Sequence, residues 1–309
     1  MKRLLTLFAA LLLALPPLAL AQGVTSSADP RATQAGREIL AKGGSATDAA
    51  LAMMLVLTLV EPQSSGIGGG GFLVHHNAAD GSIATIDGRE KAPASATADR
   101  FLGKDGKPRG FMEVVPGGLS VGVPGNMRLA EAAHKRWGKL PWAALFAPAI
   151  RLADEGFEVT EAMRSWLVRF EPLWKDFPQA RALYYVDGKV PPLGTRIRNP
   201  AYAALLRDMA ARGADAFYTG ANAKAIIDAV ASAPRNPATI TAADLTGYAA
   251  RPRDAVCTSY RQYRVCGMGP PSSGATTVFG ILGMLEGFDM QAMGRDNPMS
   301  WHVLGEAMQ

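Results

Sequence analysis

The residue in this 309-residue chain whose type and setting most invite chemistry is Arg89, which follows Gly88 at the exit of an expected strand, Ser82 to Asp87. A guanidinium presents a planar fork of donors that matches a carboxylate through two parallel hydrogen bonds. At a strand end beside glycine it is well placed to grip a substrate carboxylate. The competing reading is a structural ion pair with Glu90 or another acid, and residue type alone leaves both open. Upstream, Gly68 to Gly71 form an unbroken glycine run ahead of Phe72. The run is not a phosphate loop, because Phe72 stands where Lys and Ser or Thr are required. It is not a dinucleotide fingerprint either, because the glycines precede a strand instead of following one. A tight packing turn and a substrate-facing loop are both consistent with it.

Other reactive types are weaker candidates. Ser272-Ser273 lies among Pro270, Pro271 and Gly274, which shape backbone and do not make a nucleophile elbow. Asp29 and Asp48 sit where helix caps belong, and Asp87 and Glu61 form no paired-carboxylate pattern. The four histidines are scattered, and no Cys/His spacing fits a metal, so no metal or other cofactor is expected. Cys257 and Cys266 flank a turn-like stretch. A disulfide between them is favoured over two free thiols in an oxidising compartment, and nothing local lowers a thiol pKa.

Composition bounds the setting. The chain is 48% hydrophobic and 19% charged, an ordinary globular mix. Its formal net charge is +5, which becomes 5 − 2 = +3 without Lys2 and Arg3. That is too small a surplus to indicate nucleic acid, and no basic run interleaved with aromatics is present. Lys2-Arg3, an apolar stretch from Leu4 to Leu15, the Pro16-Pro17 break and Ala19-Leu20-Ala21 read as a secretory signal cut after Ala21. Residues 1–21 are therefore expected to be removed, leaving 22–309 as one region of a periplasmic or secreted protein with no membrane contact.

The elements that must position Arg89 follow from local signals. Val24 to Ser27 is read as a strand. Asp29-Pro30 opens a helix to Lys42 that stops at Gly43-Gly44. Ser45 to Asp48 is a capping box for a second helix, Ala46 to about Val60, apolar on nearly every side and therefore buried. Phe72 to His75 and Ser82 to Asp87 read as a hairpin. Helices are expected over Met127 to Arg136, Trp142 to Glu155, Asn199 to Arg212 and Ala221 to Ala231. Arg164 to Arg198 is mixed, Tyr260 to Met268 is strand-like, and a helix runs from about Thr276 to Glu286. Ser300 to Met308 reads as the opening of an uncapped helix, consistent with a natural end that frays and with a truncated chain alike.

Taken in order, several segments resemble the large-subunit portion of gamma-glutamyltransferase precursors. They include Ala32-Thr-Gln-Ala-Gly36, Gly43-Gly-Ser-Ala-Thr-Asp-Ala-Ala50, Gly66-Ile-Gly-Gly-Gly-Gly-Phe72 and Asp87-Gly-Arg-Glu90 with Ala92-Pro93. Val123-Pro-Gly125, Trp137-Gly-Lys-Leu-Pro-Trp142, Gly213-Ala-Asp-Ala-Phe-Tyr218, Asp244-Leu-x-x-Tyr248 and Pro270-Pro-Ser-Ser-Gly274 continue the set. The last loop departs mildly from the family form, with Gly269 and Ala275 at its edges. The resemblance implies an αββα sandwich of the N-terminal nucleophile hydrolase type, incomplete in this chain. It implies transfer of a γ-glutamyl group from glutathione and related γ-glutamyl amides to water, amino acids or peptides. The nucleophile is then the N-terminal Thr of a small subunit cut from the same precursor, with its own amine as base. Thr276-Thr277 follows the proline loop directly and is not that processing site, so no catalytic residue is expected in this chain and the fragment alone is expected to be inactive. The resemblance carries one site residue across, Arg89, as the grip on the donor α-carboxylate. Two alternatives remain at this point: a non-catalytic exported binding protein for amino acids or γ-glutamyl peptides, and a related amide acylase of the same fold.

Overall fold

The computed structural model describes residues 23–174 and 176–309; the expected signal segment lies outside them. The first stretch, 23–28, is irregular and forms no strand, unlike the expected one at Val24 to Ser27. Its hydroxyls turn inward instead. Thr25 Oγ1 donates to Thr33 O at 3.1 Å and Ser27 Oγ to Asp29 O at 2.8 Å, so these residues brace the next helix instead of a sheet. That helix, α1 (Pro30–Ala41), starts where Asp29 accepts the Arg31 N–H at 2.8 Å. Helix α2 (Ala46–Val60) carries the expected capping box between Ser45 and Asp48 and lies against α1.

The hairpin forms as expected, β1 (Gly71–Asn77) antiparallel to β2 (Ser82–Gly88). Helix α3 (Asn126–Trp137) covers one face of it, where Ile86, Leu129 and Ala133 are buried together. The helical layer continues with α4 (Ala147–Glu155), α5 (Glu161–Trp174), α6 (Pro200–Arg212) and α7 (Gly220–Ala231). The expected helix from Trp142 is split: 142–146 is a 3₁₀ turn, and α4 begins only at Ala147, just before Pro148. Helix α5 emerges from the stretch read as mixed; its Pro172 lies near the end, in the third-last position. A two-residue ribbon, β3 (Phe157–Glu158) with β4 (Arg196–Ile197), closes this part. The main core runs through α1, α2, α4 and α6, with Ile39, Leu55, Phe146, Leu206 and Met209 at most 2% exposed.

A third strand, β5 (Arg251–Arg253), pairs antiparallel with the far side of β2, so the sheet order is β1-β2-β5 with β2 central. Pro252 fits because a strand with only one paired neighbour tolerates a residue without an N–H. Beyond it, β6 (Val256–Tyr260) and β7 (Tyr263–Gly267) form a second hairpin, with Cys257 and Cys266 opposite each other and bonded as a disulfide. Helix α8 (Gly274–Leu285) packs on this hairpin, and α9 (Pro298–Ala307) packs on α8. Among the described residues no helix is long and apolar enough to cross a membrane.

Candidate functional site

The central strand β2 delivers the site. Its last residues, Asp87 and Gly88, lead directly into Arg89, Glu90 and Lys91, and these face Gly247 to Arg253 across a cleft of about 310 Å³ with Pro271 at its edge. Arg89 is fixed at its backbone from both sides. Asp87 Oδ1 accepts the Arg89 N–H at 2.9 Å, and the Tyr248 hydroxyl donates to Arg89 O at 2.6 Å. Asp87 is 8% exposed, and its second oxygen takes the Nε–H of Arg253 at 2.7 Å. The cross-strand brace from β5 therefore holds the residue that holds Arg89.

Tyr248 is suited to its role. Burial first, then the Asp87 and Glu90 carboxylates, push its hydroxyl up to about 12 against the opposing charge of Arg251. It stays protonated and donates throughout the neutral range. Its ring stacks parallel to Tyr218 at 6.3 Å, and the Tyr218 hydroxyl donates to Pro124 O at 2.9 Å. Close packing beneath needs glycine: a Cβ on Gly125 would come within 2.0 Å of Gly88 O and 2.3 Å of the Tyr248 hydroxyl.

The side chain of Arg89 is 59% exposed and forms an ion pair with its neighbour, Nε lying 3.2 Å from Glu90 Oε2. Among the described residues its two terminal nitrogens make no hydrogen bond, and Glu90 is its one acidic partner. The structure thus contains both things the sequence left open, an arginine in a cleft and a neighbouring glutamate beside it. The glycine run divides similarly. Gly70 is a packing position, since a Cβ there would lie 2.4 Å from the Glu90 nitrogen, while Gly68 faces open space. The start of α3 pins the run: Gly125 N and Asn126 N donate to Gly69 O at 2.9 and 3.0 Å, and Asn126 Nδ2 donates to Gly66 O at 2.6 Å.

The other candidates lie elsewhere. Asp29 and Asp48 cap helices, and Ser272 Oγ accepts the Gly274 N–H at 3.2 Å, shaping the loop. Sequence reasoning passed over Asp87, Tyr248, Arg251 and Arg253 as site residues. Tyr248 and Arg253 are 159 and 166 residues from their partners, and no local pattern marks such pairs. The cleft lining contains no Ser, Thr, Cys or His. What it offers is recognition of an anion by grouped cations, four of them beside the two carboxylates Asp87 and Glu90.

The family model described as Gamma-glutamyltranspeptidase matches residues 32–309. The chain is 34% identical over 292 residues to the glutathione hydrolase proenzyme of Escherichia coli (strain K12), covering 94% of this chain and 50% of that protein. It is 37% identical over 295 residues to the acylase ACY 1 proenzyme of Pseudomonas sp. (strain SE83), covering 93% and 52%. Its fold is similar to the crystal structure of Helicobacter pylori gamma-glutamyltranspeptidase, with a TM-score of 0.87 at 33% identity, covering 93% of this chain and 81% of that one. The chain spans about half the length of the curated relatives it matches.

Proposed function

This chain belongs to the gamma-glutamyltranspeptidase family, which gives it the N-terminal nucleophile hydrolase fold, and from that premise we propose that the whole protein transfers or hydrolyses γ-glutamyl groups. Its donors are then glutathione and related γ-glutamyl amides, and its acceptors are water, amino acids or peptides. The observation that carries the reading is Arg89: a guanidinium with a braced backbone, open terminal nitrogens and a place in a cleft. It is suited to a donor α-carboxylate, which meets both terminal nitrogens while Glu90 keeps Nε.

The acyl group passes to an N-terminal Thr of a small subunit cut from the same precursor, and an acyl-enzyme forms and is opened by water or an amine. The residues of this chain bind and orient; none of those lining the cleft moves a proton in that scheme. Two surfaces support a partner of this kind. The sheet face opposite α3 leaves Val74 49% exposed, and α8 buries only Leu285. A layered sandwich covers such faces with further elements. The signal segment read at residues 1–21 supports export to the periplasm or the exterior.

The likeness to an acylase proenzyme favours a second reading, hydrolysis of another amide on the same fold. The two separate by substrate. With the full-length precursor, a γ-glutamyl anilide is turned over, whereas the 309-residue polypeptide alone is inert. Arg89→Lys raises the donor KM by roughly tenfold to a hundredfold, because a single ammonium replaces a two-pronged, charge-assisted contact. An unchanged KM in that variant, or turnover by the shorter polypeptide, removes the assignment.

A further inference from the structure

Among the described residues, two cations in the cleft pair with no carboxylate. Arg89, Lys91, Arg251 and Arg253 line it together with the carboxylates Asp87 and Glu90, so its wall carries 4 − 2 = +2. Asp87 is committed to the Arg89 N–H and to Arg253, and Glu90 lies against Arg89. Among the described residues, neither Lys91 nor Arg251 has a carboxylate within 4.0 Å. Both side chains are exposed.

The sheet register fixes where Arg251 points. It is the direct cross-strand partner of Asp87, and such partners project from the same face of the sheet. Its charge reaches the Tyr248 hydroxyl, one bond from the Arg89 carbonyl. Lys91 sits two residues beyond Arg89, where Asp244 feels its charge. Asp244 is itself bound to Ala94 N at 2.8 Å and to Thr241, so it offsets Lys91 only in part, and Arg251 is the freer of the two cations. Like charges gathered in a cleft raise its energy when empty and favour an anionic occupant.

We propose that Arg251, assisted by Lys91, forms a second carboxylate subsite beside Arg89, so that the cleft selects donors with a free carboxylate on the leaving-group side of the γ-glutamyl bond. The inference rests on the γ-glutamyl reading and adds a preference to it. Peptide-like leaving groups with an ionised C-terminus are favoured, while amidated peptides and neutral arylamides are bound through Arg89 alone. The contact is an electrostatic one to flexible side chains at an open site, so its effect is a modest discrimination, not an absolute requirement.

The test compares kcat/KM of the full-length processed protein for γ-glutamylglycine, γ-glutamylglycinamide and a γ-glutamyl anilide. The wild type is expected to favour the free acid over the amide by about tenfold, with the preference shrinking as salt is raised. Arg251→Gln brings that ratio to about one by lowering kcat/KM for the free acid more than for the amide or the anilide, and Arg251→Lys retains part of the ratio, since charge is what matters. Lys91→Gln lowers the ratio by a smaller factor. A wild-type ratio near one, or an Arg251→Gln variant that keeps the full ratio or loses the anilide equally, overturns the subsite. In those cases continued anilide turnover that depends on Arg89 leaves the γ-glutamyl reading intact. Absence of turnover on all three donors sinks that reading and the subsite with it.

Discussion

Helices α2 and α8 are near neighbours in composition and opposites in setting. Both are dominated by apolar residues with little segregation of polar ones to one side. Helix α2 buries nine of its residues, from Thr47 through Val60, between α1, α3 and α4. Helix α8 buries only Leu285, leaving Val278 and Met284 44% and 55% exposed; Trp301 on α9 beside it is 63% exposed. An all-round apolar helix must be covered, but composition does not say by which part of the molecule. The α2 region is self-sufficient within these residues, and its stability rests on contacts visible here. The C-terminal region is built from local pairs and a disulfide, with an apolar face turned outward.

The sharpest way to break this contrast is to remove the polar staple under α2. Asp48 is fully buried; its Oδ2 accepts the N–H groups of Ser45 at 2.9 Å, Lys139 at 2.9 Å and Leu140 at 3.1 Å. It thereby joins the start of α2 to the loop after α3. Burial alone would raise the carboxyl, but the backbone donors from Ser45, Lys139 and Leu140 outweigh it and hold it below its ordinary value. Asp48→Ala strands those donors and should cost about 3–5 kcal/mol in urea unfolding. The pH dependence has a definite sign. A carboxyl depressed on folding contributes its stability above the ordinary carboxylate pKa of about 4 and loses it as pH falls through the lower folded value. The wild type should therefore lose stability at this group below about pH 4, and Asp48→Asn should flatten that part of the curve. An Asp48→Ala variant as stable as wild type would show that α2 is held by its apolar contacts alone.

This half of the molecule was also the legible half. Asp29-Pro30 and Ser45 to Asp48 announce α1 and α2 because a cap is satisfied within three residues. The β1–β2 hairpin and the cysteine pair are legible for the same reason. Arg89 was singled out by type and position, but its braces were not, since Tyr248 and Arg253 reach it and Asp87 from beyond 150 residues away. Strand β5 escaped because Pro252 argues against a strand unless one edge is known to be free. Val24 to Ser27 misled in the opposite sense: β-branched and hydroxyl side chains suit a strand, yet here the hydroxyls satisfy the entrance to α1. Periodicity and propensity see the chain neighbours of a residue, and the cleft is made of residues that are neighbours only in space.

A smaller effect separates the C-terminal region from the helical core. Cys257 and Cys266, nine positions apart on paired strands, close a short loop. On loop length alone, reduction should cost this hairpin about 2–3 kcal/mol. The loss should appear as faster amide exchange in β6, β7 and α8, with protection in α1 and α2 unchanged, since the second hairpin packs on α8 and not on that core. Equal loss of protection in α2 would merge the two regions into one cooperative unit and end the distinction drawn between them.

The smallest expected effect bears most directly on what the outward face of α8 is for. In the 309-residue polypeptide, Met284→Ser removes a side chain already half in water, and the change in stability should stay within about 0.5 kcal/mol. In the full-length precursor the proposed sandwich covers that face, and the same substitution then loses the burial of a whole methionine, about 1.5–3 kcal/mol. Trp301→Ser on α9 serves as a second probe of the same surface. The comparison needs only matched urea titrations of the two lengths with and without each substitution. A cost that grows with the longer chain means that α8 resembles α2 after all, with its covering supplied from outside these residues. A cost that stays near zero in both lengths means that α8 keeps its apolar face in water, and the difference between the two helices is then intrinsic to the protein.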